Sequence, residues 1–223
     1  MLSIRTFLAG SFLLLSACGD SESDFARPRE ERKQPVDLVL LENGRPDPSV
    51  LAEEQVVRRG NGEEPATLDP HLAEGSPSAH ILRDLFEGLT TESPDGKIVP
   101  GAAARWNISR DARTYTFYLR RDSFWSNGDP LLAEDFVYSL RRSANPETAS
   151  SSAVMLLPIH NAREVLAGEL PVEELGISLL DEFTLQITLA GPTPYFLGLL
   201  AHPVAYPVNR RNIEAVSYTH LTL

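Results

Sequence analysis

A single cysteine, Cys18, stands in 223 residues, and this restricts what can hold the chain together. One thiol closes no internal disulfide, and no cysteine pair is present to take zinc or an iron–sulfur centre. The fold must rest on buried apolar surface and hydrogen bonds. Material for that is ample: 223 residues suffice for one large domain or two ordinary ones, and 42% are hydrophobic against 23% charged. The 17 Pro and 14 Gly are spread along the chain, so most of it is expected to be globular. Twenty Lys and Arg face 31 Asp and Glu, a net charge of −11, which argues against a phosphate-neutralising grip on nucleic acid.

The N-terminus reads as an export leader. Arg5 precedes an apolar run from Phe7 to Ala17 that is too short to span a bilayer as a stable helix. The run ends at Leu15-Ser16-Ala17-Cys18-Gly19, which resembles the lipobox of bacterial lipoproteins. That resemblance implies cleavage after residue 17, diacylation of Cys18 and a periplasmic, membrane-anchored protein of the cell envelope. A plain secretory leader with an incidental cysteine is the alternative. Two or three acyl chains hold a protein on a membrane far more firmly than one, since each buried methylene contributes about 0.8 kcal/mol. Residues 18–54 carry many charges and Pro28, Pro35, Pro46 and Pro48, and read as a flexible linker. A coil of about 30 residues reaches roughly 30 Å. The apolar patch Val36–Leu41 reads either as part of that linker or as an extra strand.

Past the linker, hydrophobic patterning marks the elements. Val56-Val57-Arg58 is a short strand candidate, and Leu68-Asp69-Pro70-His71 a turn. Ser76-Pro77 predicts a helix N-terminus, with Ile81, Leu82, Leu85, Phe86 and Leu89 on one face and an end near Gly88. Tyr115–Arg120 and Thr184–Leu189 alternate in the manner of half-buried strands. Ser126-Asn127-Gly128-Asp129-Pro130 is a turn, after which Phe136, Val137 and Leu140 place a helix over Ala133–Arg142. Helices and strands mix without a regular βαβ repeat, which predicts an α/β fold of α+β character.

Catalytic patterns are missing. No Gly-x-Ser-x-Gly occurs, and the one thiol lies beside the leader. His71 and Glu74 are three apart, but without a second histidine at helical spacing His71 reads as structural rather than metal-binding. Gly60-x-Gly62 lacks the rest of a phosphate loop. Trp106 and Trp125, each beside a strand-like segment, read as core filling more readily than as a ligand platform. Arg141-Arg142 reads as a solvated pair complementing a helix C-terminus. No enzyme, cofactor or metal is expected.

Taken in order, several strings resemble the oligopeptide-binding extracytoplasmic solute-binding proteins of ABC importers. They are Leu68-Asp69-Pro70-His71, Arg83-Asp84-Leu85-Phe86-Glu87-Gly88-Leu89, Pro100-Gly101-Ala102-Ala103 with Trp106, and Tyr115-Thr116-Phe117-Tyr118-Leu119-Arg120. Trp125-Ser126-Asn127-Gly128-Asp129-Pro130, Ala133-Glu134-Asp135-Phe136-Val137-Tyr138-Ser139, Leu175-Gly176-Ile177, Thr184-Leu185 and Pro192-Thr193-Pro194-Tyr195-Phe196 follow. The likeness runs from about Val56 to Asn209. It implies a two-lobed periplasmic-binding-protein-like fold, truncated here to the first part of one lobe (55–86) plus an inserted domain (87–208), with 209–215 starting the return. Residues 216–223 resemble translated vector sequence. A further lobe, which the family uses to hold the peptide's amino terminus, is not carried by this chain, so the chain reads as a fragment unable to close on ligand.

The resemblance also implies a mechanism and a site. An extended peptide would lie as an added strand, main chain bonded to main chain, with side chains in roomy wet pockets. Glu74, Gly75 and Ser76 match the segment beside the peptide, with a purely structural role as turn and cap the competing reading. Ser152 stands where the family has a tyrosine against the ligand, a departure that costs aromatic contact. The implied partners are an oligopeptide and the permease and ATPase of an inner-membrane ABC importer, with the protein itself a monomer. Alternatives within the fold are a nickel chelate, haem or a murein peptide as ligand. Outside it stands a surface lipoprotein acting as adhesin or chaperone.

Overall fold

The computed structural model describes Val56 and residues 60–215. Val56 is exposed and belongs to the unit Met1–Arg58, while the remainder forms a compact unit of its own within Arg59–Leu223. The lipidation at Cys18, the linker and its Val36–Leu41 patch, the rest of the Val56-Val57-Arg58 strand and the tail 216–223 lie outside the described residues.

A four-stranded antiparallel sheet organises the unit, in the order β3 (Ala103–Ile108), β4 (Thr114–Leu119), β6 (Thr184–Thr188), β5 (Ile177–Asp181). β4 is central because its alternation is strict. Tyr115, Phe117 and Leu119 are buried while Thr114, Thr116 and Tyr118 are half-buried on the other face. In register, Phe117 stands opposite Trp106 and Leu185, and Tyr115 opposite Ile187. The outer face is closed by polar pairs. Arg105 lies 3.6 Å over the Tyr118 ring, and Gln186 Nε2 donates to Thr116 Oγ1 at 3.2 Å. A separate hairpin pairs β1 (Thr90–Glu92) with β2 (Ile98–Pro100).

The helix expected over Ala133–Arg142 extends to Ala144 as α2 and packs on β5 and β6. Phe136 and Leu140 are fully buried, and each such side chain contributes about 1.5–3 kcal/mol. Asp135 fixes its start: one carboxylate oxygen accepts from Leu132 N at 2.9 Å and from Trp125 Nε1 at 3.2 Å. Trp125 and Trp106 are half-buried against the core, as the core-filling reading expects. The elements α3 (Ala162–Leu166), α4 (Phe196–Leu199) and α5 (Arg210–Ala215) are short.

Two sequence expectations shift. The first helix, α1, spans Gly75–Leu85 rather than running from Ser76 to near Gly88. Its N-cap is Glu74, extended and without a side-chain cap bond, so Ser76 sits inside the first turn. Phe86 leaves helical backbone (φ −124, ψ 156) and stacks on Tyr206 with ring centroids 6.3 Å apart. Of the expected apolar face, Leu82 and Leu89 are buried but Leu85 is 62% exposed. The second shift concerns Arg142, which is not solvated: its side chain is only 9% exposed.

Two glycines account for the chain's course after α1. A Cβ on Gly88 would lie 2.5 Å from the Leu200 carbonyl oxygen, and one on Gly101 would lie 2.5 Å from the Gly88 carbonyl oxygen. The connecting segments touch backbone to backbone there, with Ala102 N donating to Gly88 O at 2.9 Å.

Candidate functional site

Asp69 starts the turn that leads to the expected binding segment. Its carbonyl accepts from Leu72 N at 3.1 Å and Ala73 N at 2.9 Å, while its Oδ1 accepts from His71 N at 3.0 Å. The chain then passes through Glu74, Gly75 and Ser76, all exposed. Gly75 has φ +76, in the left-handed region, and only Pro77 Cδ, at 3.7 Å, lies within 4 Å of where its Cβ would be. Its backbone angle demands glycine there, not crowding among the described residues.

Ser152, half-buried, lies in a 3₁₀ helix, Ser151–Leu156. This helix and α1 both pack against the 3₁₀ turn Pro203–Ala205, which relates the two expected binding segments in space. An open groove of about 530 Å³ between α2 and α5 extends to Arg142. It is lined by Glu134, Tyr138, Arg141, Arg210 and Glu214 among others, and by none of the four expected binding residues.

The turn at Asp69 is anchored by a buried polar cluster that sequence reading missed. Arg142 grips Asp69 with both arms, one nitrogen 3.0 Å from Oδ1 and the other 2.6 Å from Oδ2. The first of these nitrogens also lies 2.7 Å from His71 Nδ1. Since an arginine only donates, Nδ1 is the acceptor and Nε2 carries the hydrogen, which it donates to the Tyr206 carbonyl at 3.0 Å. Burial alone would raise the Asp69 carboxyl, but the Arg142 hydrogen bonds and charge overcome it and hold Asp69 below its usual range. Burial pushes His71 down to about 4, against its bond to Tyr206 and with the Arg142 charge adding to the fall. The cluster is thus a carboxylate, a neutral imidazole and a guanidinium. Both ring nitrogens of His71 are occupied, as in a structural histidine.

α2 reaches the same region with two more side chains. Ser143 Oγ donates to Val204 O at 2.7 Å, and Ser139 Oγ accepts from Val208 N at 2.8 Å. Ser139, Arg142 and Ser143, at i, i+3 and i+4, form a polar stripe beside the apolar face of Phe136 and Leu140. That spacing was the available signal. Among the described residues no group of three or more His, Cys, Asp or Glu is placed to hold a metal, and no helix is long and apolar enough to cross a membrane.

Residues 97–220 match the profile of the bacterial extracellular solute-binding proteins, family 5 (middle region). The chain belongs to this family. The family 5 match covers the four-stranded sheet, α2 and α5 and runs into the segment 216–223, whereas Glu74, Gly75 and Ser76 precede it. Over 166 residues the chain is 48% identical to the periplasmic oligopeptide-binding protein OppA of Escherichia coli (strain K12), covering 74% of this chain and 30% of that protein. It is 42% identical over 172 residues to the periplasmic murein peptide-binding protein MppA of the same organism, covering 76% and 32%. The crystal structure of Haemophilus influenzae OppA in complex with the peptide RPPGFSPFR superposes with a TM-score of 0.68 at 38% identity, covering 71% of this chain and 31% of that one. The mixed helix-and-sheet architecture is that of periplasmic solute-binding proteins, and the chain spans about 30% of the length of these relatives. Family 5 is a solute-binding transport family.

Proposed function

We propose that this chain is part of an extracytoplasmic receptor that captures oligopeptides and delivers them to an ABC importer. The observation carrying this reading is the 48% identity to an oligopeptide-binding protein over three quarters of the chain. In this reading the exposed turn Glu74–Gly75–Ser76 runs beside an extended peptide and offers main-chain groups to it, while Ser152 leaves room where a larger side chain would fill space. Main-chain pairing with wet side-chain pockets decouples affinity from peptide sequence and yields binding of about −8 kcal/mol, micromolar in order. No bond in the ligand is made or broken. Cys18, acylated, tethers the receptor to a membrane through residues 18–54, and the working unit is a monomer.

Calorimetry on the full reading frame with mixed tri- to pentapeptides tests the capture step. Micromolar binding across unrelated sequences supports it, and no binding to any of them sinks it. A murein tripeptide belongs in the same panel, since the 42% identity to a murein peptide-binding protein favours that ligand as the second reading. Detergent phase partition of the exported protein tests the anchor: the wild type enters the detergent phase and Cys18→Ser stays in the aqueous phase.

A further inference from the structure

The expected binding turn Glu74–Ser76 and the cluster at Asp69 and His71 are joined by two residues of chain, Leu72 and Ala73. Asp69 receives both arms of Arg142, and its carbonyl sets the turn through Leu72 N and Ala73 N. Glu74, Gly75 and Ser76 follow at once. Arg142 comes from α2, 73 residues away in sequence, and α2 is seated by Phe136 and Leu140 in the core against the sheet. The same guanidinium fixes the tautomer of His71, whose Nε2–H holds the Tyr206 carbonyl one residue before Pro207. A bidentate fork to a carboxylate fixes direction as well as distance. It relates three pieces of chain: the turn before α1, the helix on the sheet and the segment after the 3₁₀ turn Pro203–Ala205.

We propose that Arg142 is a positioning residue for peptide capture: through Asp69 and His71 it sets the backbone course that presents Glu74, Gly75 and Ser76 to the ligand. This rests on the peptide-receptor reading above. Arg142 itself touches no ligand. Its effect on affinity is the coupling between an ordered turn and a turn that must be ordered at the moment of binding.

The test is made on the full-length receptor with Arg142→Gln, Arg142→Lys, Asp69→Asn and, as a control for loss of one positive charge, Arg211→Gln, whose side chain is 84% exposed. Peptide affinity is read by calorimetry well below each variant's melting temperature. Amide hydrogen exchange is read separately over residues 72–76 and over β4 and β6. Arg142→Gln and Asp69→Asn are expected to weaken binding roughly tenfold and to speed exchange at 72–76 while β4 and β6 stay protected. Arg142→Lys, keeping charge but losing the fork, is expected to fall between, and Arg211→Gln to match the wild type. Unchanged affinity and unchanged exchange at 72–76 in folded Arg142→Gln and Asp69→Asn overturn the inference even if both variants are less stable. Should the wild type bind no peptide, the receptor reading fails by itself. The exchange measurement still decides whether Arg142 orders the turn.

Discussion

Arg142 is a cation inside the protein with three acceptors about it, both oxygens of Asp69 and Nδ1 of His71. Removing the guanidinium alone strands a buried carboxylate whose side chain is 2% exposed. Arg142→Leu is therefore expected to cost about 3–5 kcal/mol, and Asp69→Leu with Arg142→Leu less than the single change, since no lone charge remains. Urea unfolding of the two variants checks the order. His71 gives the cluster a pH dependence whose sign follows from its depressed value. Unfolded, the ring takes its proton near 6.5; folded, it waits until about 4. Between those limits the unfolded state binds more protons, so stability is full above pH 6.5 and falls as pH drops towards 4, by about 3 kcal/mol in all. The Asp69 contribution, present above 3.8, is lost only at lower pH still. Melting temperatures taken from pH 7 to pH 4 should decline steeply in the wild type and less so in His71→Gln. His202, also lowered by burial, accounts for part of the residual slope.

Among the elements, those legible in sequence are the ones with two distinct faces. β4, β6 and α2 alternate or repeat cleanly, and each lies within two residues of where its pattern puts it. β3 and β5 were not found, because an edge strand with one buried residue at its start carries no alternation to read. α1 was found but its ends moved, because Gly75 and Phe86 answer to the Asp69 turn and to the Tyr206 ring rather than to local propensity. The same limit hid the cluster. Sequence places Arg142 at the end of a helix, but only the return of residues 203–208 and of the Asp69 turn decides that this end is covered. The expected binding segment Glu74–Ser76 rests on family resemblance, with no residue pattern of its own to mark it. Two glycines separate crowding from backbone angle. Gly88→Ala would drive a methyl into backbone carbonyls at 2.5 and 2.9 Å, and should cost about 1–3 kcal/mol or more. Gly75→Ala meets only an ordinary contact with Pro77 Cδ at 3.7 Å and should cost about 1–2 kcal/mol, from its positive φ alone. Thermal melts of both variants check the ranking.

For the whole molecule, a clamp works only when two surfaces can close on one ligand. Calorimetry of this chain alone with mixed tri- to pentapeptides is expected to show no heat of binding, in contrast to the full reading frame. Micromolar binding by residues 60–215 would mean that the described unit suffices by itself. The outer strand β5 bears on how such a sample behaves. Among the described residues it pairs on one side only, with β6, and leaves Leu179 and Leu180 about half exposed. Open backbone flanked by bare leucine is a template for stacking one copy on another. Concentrated stocks should therefore turn cloudy with time, and a lysine in place of Leu180 should keep them clear for longer under light scattering, with no loss of melting temperature.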